Sequence, residues 1–500
     1  MLGASIVLIG ILTLGASFNY MLNDMVSDLG ATDEQSALMR QLSSIGSLLV
    51  VFLAGVLGER LGERRVLVAS AVAFTIGSLI VTLSPDIAVA SAGLLLASVA
   101  KASIAVVGIA YVTVSIRDRS GRATAFSAVS SVQPMAYLVI PVLAGVLVSG
   151  LGWRLVSALW ILGGVAAFFA ARRLFPRDVP RERARGEMLT PALAGLALAM
   201  FVQLFGTVRQ DGVTAQFLVE LSVTAGAIVA LVILYRRLPN PTLSLGPLKH
   251  GGLLLLLLVV VLMGFVNLFY YSTTLFQVVY GYSALGAAVL MAPAQVAGIV
   301  SAVVVRRVLQ RKGITFTGTV TLGLMAITLF LSTALQFGTP VVFPVIVVSL
   351  YGFASLGAVI TMTNAVMDLS RKGDEGDTSS YRSAAGNIGI ALGITVMTFV
   401  TTTVGFASLN TQLDAAGLPP AQVSNAGWDL LYGADPQDVS DQYGIPLDEV
   451  NEIAEAEQVA YVDAYRAQGL VAGIVTSLSA VLFFVIRRRA ARNAEGATQP

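Results

Sequence analysis

A single lysine, Lys101, lies in the middle of a long apolar stretch at residues 89–115. A lysine at the centre of a lipid-spanning helix costs about 2.5–3.5 kcal/mol on insertion scales, so it faces a partner or a water-filled cavity. Small residues such as Ala97 and Ser98 share its helical face. We predict that Lys101 binds an anionic group or exchanges a proton. The alternative is a structural ion pair or hydrogen bond to a neighbouring helix.

Other polar side chains interrupt the apolar stretches and form a second set of candidates. Each either hydrogen-bonds a neighbouring helix or contacts a ligand. Asn267 shares a helical face with Tyr270 and Tyr271, which favours a position lining a cavity. Asp24 is a candidate proton site, with a helix cap or an ion pair to Arg40 as the alternative. The remaining candidates are Asn19, Gln133, Gln295, Asn364 and Asn387.

The composition excludes several classes of protein. The 500 residues are 56% hydrophobic and 12% charged, whereas soluble domains carry about 25% charged residues. The absence of cysteine and the single histidine, His250, argue against disulfides and metal clusters. No phosphate-binding loop of the ATPase type is present. We therefore expect no enzyme, no cofactor and no bound metal.

Fourteen apolar stretches reach the ~20 residues that a membrane-spanning helix needs. The sequence thus predicts an all-α polytopic membrane protein with 14 transmembrane helices. The stretches lie near 4–23, 41–58, 66–84, 89–115, 123–149, 153–171, 189–208, 215–235, 251–272, 284–305, 316–336, 342–365, 383–407 and 467–486.

The distribution of charge predicts the orientation of these helices. Most of the 31 Lys and Arg residues fall in alternate connections, for example 60–65, 172–185 and 487–492. Because basic connections stay on the cytoplasmic side, both termini are expected there, in a multi-pass protein of the cell membrane. The bases follow this topology and form no groove for nucleic acid.

The order of stretches and connections predicts two six-helix bundles joined by a linking helix pair. The first bundle covers 1–174, and the cytoplasmic linker with two extra helices covers 175–250. The second bundle covers 251–490 and includes an acidic extracellular loop at 408–466, where turns separate short helices. A cytoplasmic tail covers 491–500.

The loop from Gly55 to Arg65, Gly-Val-Leu-Gly-Glu-Arg-Leu-Gly-Glu-Arg-Arg, is similar to the helix 2–3 signature of the major facilitator superfamily. The resemblance implies a conformational latch on the cytoplasmic side, with Glu59 in the role of the family's aspartate. The alternative is a generic basic loop. The latch residues implied in this way are Gly55, Glu59, Arg60, Gly62 and Arg64, with Asp118 as a partner.

Two further segments extend the resemblance. Ile140–Gly145 looks like the fifth-helix antiporter signature, with Pro141 and Gly145 bending the helix and admitting a close neighbour. The stretch Tyr270–Leu285 resembles the 14-helix drug:proton antiporter branch. That branch usually carries an aspartate in helix 1, but Leu14 occupies its position here.

The sequence therefore predicts a secondary transporter that works by alternating access. The resemblance implies proton-coupled export of an amphipathic compound, and Lys101 favours an anionic or lipid-like one. The expected partners are a small-molecule or lipid-like substrate, protons and the bilayer, and the chain is expected to be a monomer. One alternative is uptake or facilitated diffusion of a metabolite or anion. Another is a membrane scaffold or sensor that does not transport.

Overall fold

The computed structural model of the chain describes residues 2–30, 33–115, 119–175, 187–211, 214–238, 251–266, 268–369, 375–416 and 436–496. Within these ranges the secondary structure is α-helical and contains no strand. Asp118 lies outside them, as do Asn267 and the centre of the predicted acidic loop.

Within the described ranges, eight helices form the first half of the chain. They are α1 (Leu2–Asp28), α2 (Asp33–Leu61), α3 (Glu63–Thr82), α4 (Ile87–Ser115), α5 (Arg119–Leu151), α6 (Trp153–Leu174), α7 (Leu189–Asp211) and α8 (Ala215–Arg237).

In the second half, the parts of the chain that the structure describes contain seven helices. They are α9 (Gly251–Gly264), α10 (Leu268–Val278), α11 (Ala284–Ser332), α12 (Val342–Asp368), α13 (Glu375–Ala416), α14 (Pro436–Tyr443) and α15 (Leu447–Gly496). Two predicted stretches merge in α11, where Gly313 has φ 78° and ψ 174°. Only glycine adopts this conformation without strain, so Gly313 marks the turn between them.

Two buried apolar clusters organise the helices. One contains residues between Val7 and Phe175, contributed by α1 to α6. The other lies mainly between Leu253 and Ile486, and also includes Val51 and Phe52 of α2. We call the helices of the first cluster the N-half and α9 to α15 the C-half. Helix α7 packs on α2 and α13, and α8 packs on α7.

Within each half, glycines let helix backbones touch. A Cβ built at Gly10 of α1 would lie 2.3 Å from the Gly163 carbonyl oxygen of α6, and one at Gly163 would lie 2.4 Å from the Gly10 oxygen. Any larger residue at either position would force the two helices apart. Close contacts through small residues of this kind are common in membrane helix bundles.

The described residues contain nine helices long and apolar enough to cross a membrane, or ten if the bent helix α1 is included. Shorter apolar helices occur at Ile45–Gly58, Val132–Val148 and Leu189–Leu204. An all-helical membrane architecture is therefore confirmed, while the count of fourteen spans stays a prediction.

The predicted acidic loop is more helical than expected. Helix α13 continues to Ala416 and α15 starts at Leu447, so long helices enter the segment from both sides, and the described part between them holds the short α14. The reason is an apolar contact, since Leu409 and Leu413 of α13 form a buried cluster with Ile453 and Ala460 of α15. We call the end of the molecule that carries this contact the acidic end, and the opposite end, with the Arg60–Arg65 connection, the basic end.

Candidate functional site

The site begins at a break in one membrane span. Helices α9 and α10 together form a span at Gly251–Val278, and the break frees backbone groups between Gly264 and Leu268. The Tyr351 hydroxyl of α12 donates a 2.7 Å hydrogen bond to the Val266 carbonyl oxygen. Broken spans are tolerated where protein groups satisfy the backbone or where a cavity lies beside it. In transporters they commonly mark the substrate site.

Tyrosines of α15 hold the helix after the break. The Tyr461 hydroxyl donates to the Tyr271 carbonyl oxygen at 3.1 Å, and the Tyr465 hydroxyl lies 2.8 Å from the Ser272 hydroxyl. The Tyr270 and Tyr271 rings meet edge to face at 5.2 Å. These contacts fix α10 against α15 through buried polar groups, which makes its orientation specific.

The two halves touch near the acidic end. Tyr20 of α1 lies close enough to the Thr273 side chain of α10 to hydrogen-bond. A Cβ at Gly145 of α5 would lie 3.0 Å from the Leu285 Cα of α11. Gly145 thus allows α5 and α11 to approach closely, and Pro141 is buried in the same helix. The role of this segment as an antiporter motif stays a prediction.

The halves also touch towards the basic end. The Phe52 ring of α2 meets the Tyr381 ring of α13 with centroids 5.8 Å apart. A Cβ at Gly55 would lie 3.3 Å from the Ser380 hydroxyl oxygen. Since α2 and α13 belong to different halves, these contacts join the halves on this side.

Lys101 lies between these two contact regions. It is partly accessible, while Leu94, Ala97 and Ser98 on its helical face are fully buried. No hydrogen bond or ion pair to its ammonium is found within the described part of the chain. Because buried residues flank the lysine on its own helix, its remaining accessibility indicates space inside the protein and not a lipid-facing surface.

The other predicted residues are distributed unevenly. Asp24 is exposed near the end of α1, and Asn364 is exposed and donates to the Ile360 carbonyl oxygen of its own helix at 2.8 Å. Gln133 is exposed on α5, and Gln295 and Asn387 are partly buried. The Asn19 side chain is outside the described set, as is Asn267.

The predicted latch is described only in part. Gly62 joins α2 to α3 with φ 96°, a conformation that favours glycine. The Arg64 guanidinium donates to the Arg172 carbonyl oxygen near the end of α6, where the helix dipole favours a cation. Arg60 is exposed, and the Glu59 side chain lies outside the described set.

Arg382 was not among the predicted site residues. It lies inside α13 and is partly buried. Its Nε atom is buried and has no hydrogen-bond partner. The sequence did not predict its burial, because Arg382 directly precedes the apolar stretch that begins at residue 383. Helix α13 begins earlier than this stretch, at Glu375.

Residues 4–394 match the Major Facilitator Superfamily. The chain belongs to this family. Over 266 residues it is 26% identical to the Major facilitator superfamily multidrug transporter mfsC of Aspergillus fumigatus, which covers 51% of this chain and 49% of that protein. Over 139 residues it is 34% identical to the uncharacterized MFS-type transporter Rv1877 of Mycobacterium tuberculosis, which covers 27% of this chain and 19% of that one. The chain thus spans half or less of these relatives.

Solved structures share the fold. The human organic anion transporter MFSD10 aligns with a TM-score of 0.55 and 13% identity, over 95% of this chain and 97% of that chain. A mutant of the nucleoside transporter NupG aligns with a TM-score of 0.56 and 13% identity, over 97% and 99%. Together with the family match, this likeness supports a multi-pass membrane transporter. The finer placement in a 14-helix antiporter branch stays a prediction.

Several residues of the site were not predicted. Tyr20, Tyr351, Tyr461 and Tyr465 were absent from the candidates, because tyrosine is common at membrane borders and its spacing carries no signal of its own. Their weak signal is positional. Tyr20 falls about one turn inside a predicted stretch, and Tyr461 and Tyr465 fall within about two turns before the stretch that begins at residue 467.

Proposed function

We propose that this member of the superfamily exports an amphipathic compound with an anionic group, driven by protons and working by alternating access. The observation that supports this most directly is Lys101, a cation in mid-span with partial accessibility and no described partner. A transporter can place such a group only where water or a substrate reaches it.

The geometry of the halves supports alternating access. Their contacts include Gly145 with Leu285 towards the acidic end and Phe52 with Tyr381 towards the basic end. Lys101 and the α9–α10 break lie between these contacts. Contacts between the halves on both sides of this region fit a cycle in which one contact opens at a time.

Reconstitution of the full chain in liposomes tests the proposal. An acid-inside proton gradient and a pH-sensitive dye in the lumen report coupled movement when an amphipathic sulfonate is added. Proton efflux that depends on the sulfonate supports antiport. Flux that is independent of the gradient indicates facilitated diffusion, and no flux of anionic, neutral or cationic probes indicates a scaffold or sensor.

The first prediction concerns the lysine itself. Lys101→Gln should lower transport of the sulfonate about tenfold or more, because one hydrogen bond to a charged group contributes about 1.5–3 kcal/mol. Transport of a neutral probe of equal size should change less than about threefold. Lys312→Gln removes an exposed lysine near the basic end and serves as the matched control. Unchanged sulfonate transport by Lys101→Gln refutes the charge argument.

A further inference from the structure

The most unusual group outside the predicted site is Arg382. Its Nε is buried without a hydrogen bond, and no ion pair to its guanidinium occurs in the described ranges. Asp368, an acid near the same end of the C-half, already binds Arg487 at 3.1 Å. A buried cation without a carboxylate is costly to a protein unless another anion pairs with it.

Helix α2 allows the depths of Arg382 and Lys101 to be compared. Gly46 of α2 meets Ser98, three residues before Lys101, and Gly58 meets Val107 further along α4. Lys101 is therefore level with the part of α2 between these glycines, near residue 50. On the same helix, Phe52 meets Tyr381, the residue directly before Arg382. At 1.5 Å rise per residue, the two cations differ in depth by about one helical turn or less.

The helices that carry the two cations are also neighbours. Helices α4 and α13 both contact α2, and they contact each other. Val106 of α4 packs against the buried cluster that contains Val51 and Phe52 of α2 together with C-half residues. One cation therefore comes from the N-half and the other from the C-half, at similar depth beside the same helix.

We propose that Arg382 and Lys101 bind one oxyanion group of the substrate from opposite halves of the molecule. The ligand class is an amphipathic organic anion with a carboxylate, sulfonate or phosphate group. The Arg382 guanidinium supplies paired N–H donors, and the Lys101 ammonium supplies a compact positive charge. This inference rests on the proposed function, and it assigns to Arg382 a substrate contact that joins the halves when the anion is bound.

The experiment uses the full chain with pyrenesulfonate and neutral pyrenemethanol as probes. Binding is measured in detergent from the rise in unfolding temperature that each probe causes, because a ligand stabilises the state it binds. Flux is measured separately in liposomes. The variants are Lys101→Gln, Arg382→Gln, Arg382→Lys and the double glutamine variant, with Arg311→Gln as an exposed arginine control.

Each single glutamine variant should weaken pyrenesulfonate binding about tenfold or more and pyrenemethanol binding less than about threefold. Arg382→Lys should retain much of the sulfonate affinity because it keeps the charge. The double variant should lose less than the product of the single losses, because residues that hold one group are coupled. Arg311→Gln should match the parent.

The outcomes separate this inference from the proposed function. Parent-like sulfonate binding by Arg382→Gln overturns the role of Arg382, even if Lys101→Gln fails to bind. Equal losses for both probes also overturn it, since they show that the effect of Arg382 does not depend on the anionic group. If the parent moves neutral probes but does not bind the sulfonate, the anion site is wrong while transport stands. If sulfonate binding depends on both cations but no probe crosses the bilayer, the site stands and the proposed function fails.

Discussion

Glu457 is a single buried residue that is expected to lower the stability of the folded protein. It lies in α15 near the acidic end, and its exposure is 6%. Ile453 one turn before it and Tyr461 one turn after it are also buried, so the glutamate belongs to the packed face of the helix. No hydrogen bond or ion pair to its carboxylate occurs in the parts of the chain that the structure describes. Burying a carboxyl group without a partner opposes folding, because its charged form loses hydration and its neutral form must take up a proton at neutral pH.

We therefore predict that Glu457→Gln stabilises the protein. The amide keeps the shape of the side chain but has no charge to desolvate, so the free energy of unfolding should rise by about 1–3 kcal/mol. Thermal unfolding of the purified protein at neutral pH measures the change.

Glu455 provides the matched control for this prediction. It lies two residues away in the same helix and is exposed, so Glu455→Gln should leave the unfolding temperature almost unchanged. An unfolding temperature for Glu457→Gln below that of the parent would mean that the charged carboxylate stabilises the acidic end.

Among single residues, the sequence predicted the burial of some charged side chains better than that of others. Lys101 could be found because apolar residues surround it on both sides in the chain. Arg382 and Glu457 could not, because each lies in a segment that already contains charges, and composition does not say which of those side chains a helix turns inward. Burial of such a residue depends on where the helix begins and on what packs against it.

Among the elements, the crossing of α1 and α6 depends on Gly10 and Gly163. We predict that Gly10→Ala destabilises the protein by about 1–3 kcal/mol, because the new methyl group meets the Gly163 backbone and the helices must separate. Thermal unfolding in detergent measures this effect.

The control for this prediction is Gly226→Ala in α8, where a new Cβ has nothing within 4 Å. Alanine favours a helix over glycine by about 1 kcal/mol, so this variant should be neutral or slightly more stable. If both alanine variants behave alike, the crossing tolerates a wider separation than its backbone contact suggests.

The elements also show where prediction from sequence ends. Each predicted apolar stretch lies within helices, apart from the few residues of the α9–α10 break and the ends of some stretches, because helix length and apolar composition are local properties. The break itself was not predicted, since Phe265 and Val266 are apolar and give no local signal. It depends on Tyr351 of a distant helix and on Gly393, whose Cβ would lie 2.3 Å from the Phe265 oxygen.

At the scale of the whole molecule, the contacts of Gly145 with Leu285 and of Gly55 with Ser380 restrict the motion of the two halves relative to each other. If the halves rock about a central site, the Gly145–Leu285 contact and the Gly55–Ser380 contact must break in turn. The chain has no cysteine, so cysteine pairs can be introduced without removing any native thiol.

The last prediction is that locking either contact stops transport. A Cβ at Gly145 lies 3.3 Å from the Leu285 Cβ, close to the separation of about 3.5–4.5 Å that disulfides adopt. Oxidation of Gly145→Cys with Leu285→Cys should therefore reduce substrate flux in liposomes to background, and a reductant should restore it. Gly55→Cys with Ser380→Cys should behave in the same way. Each single cysteine variant should be insensitive to oxidant. Full flux through either cross-linked pair would show that this contact stays closed throughout the cycle, which alternating access does not permit.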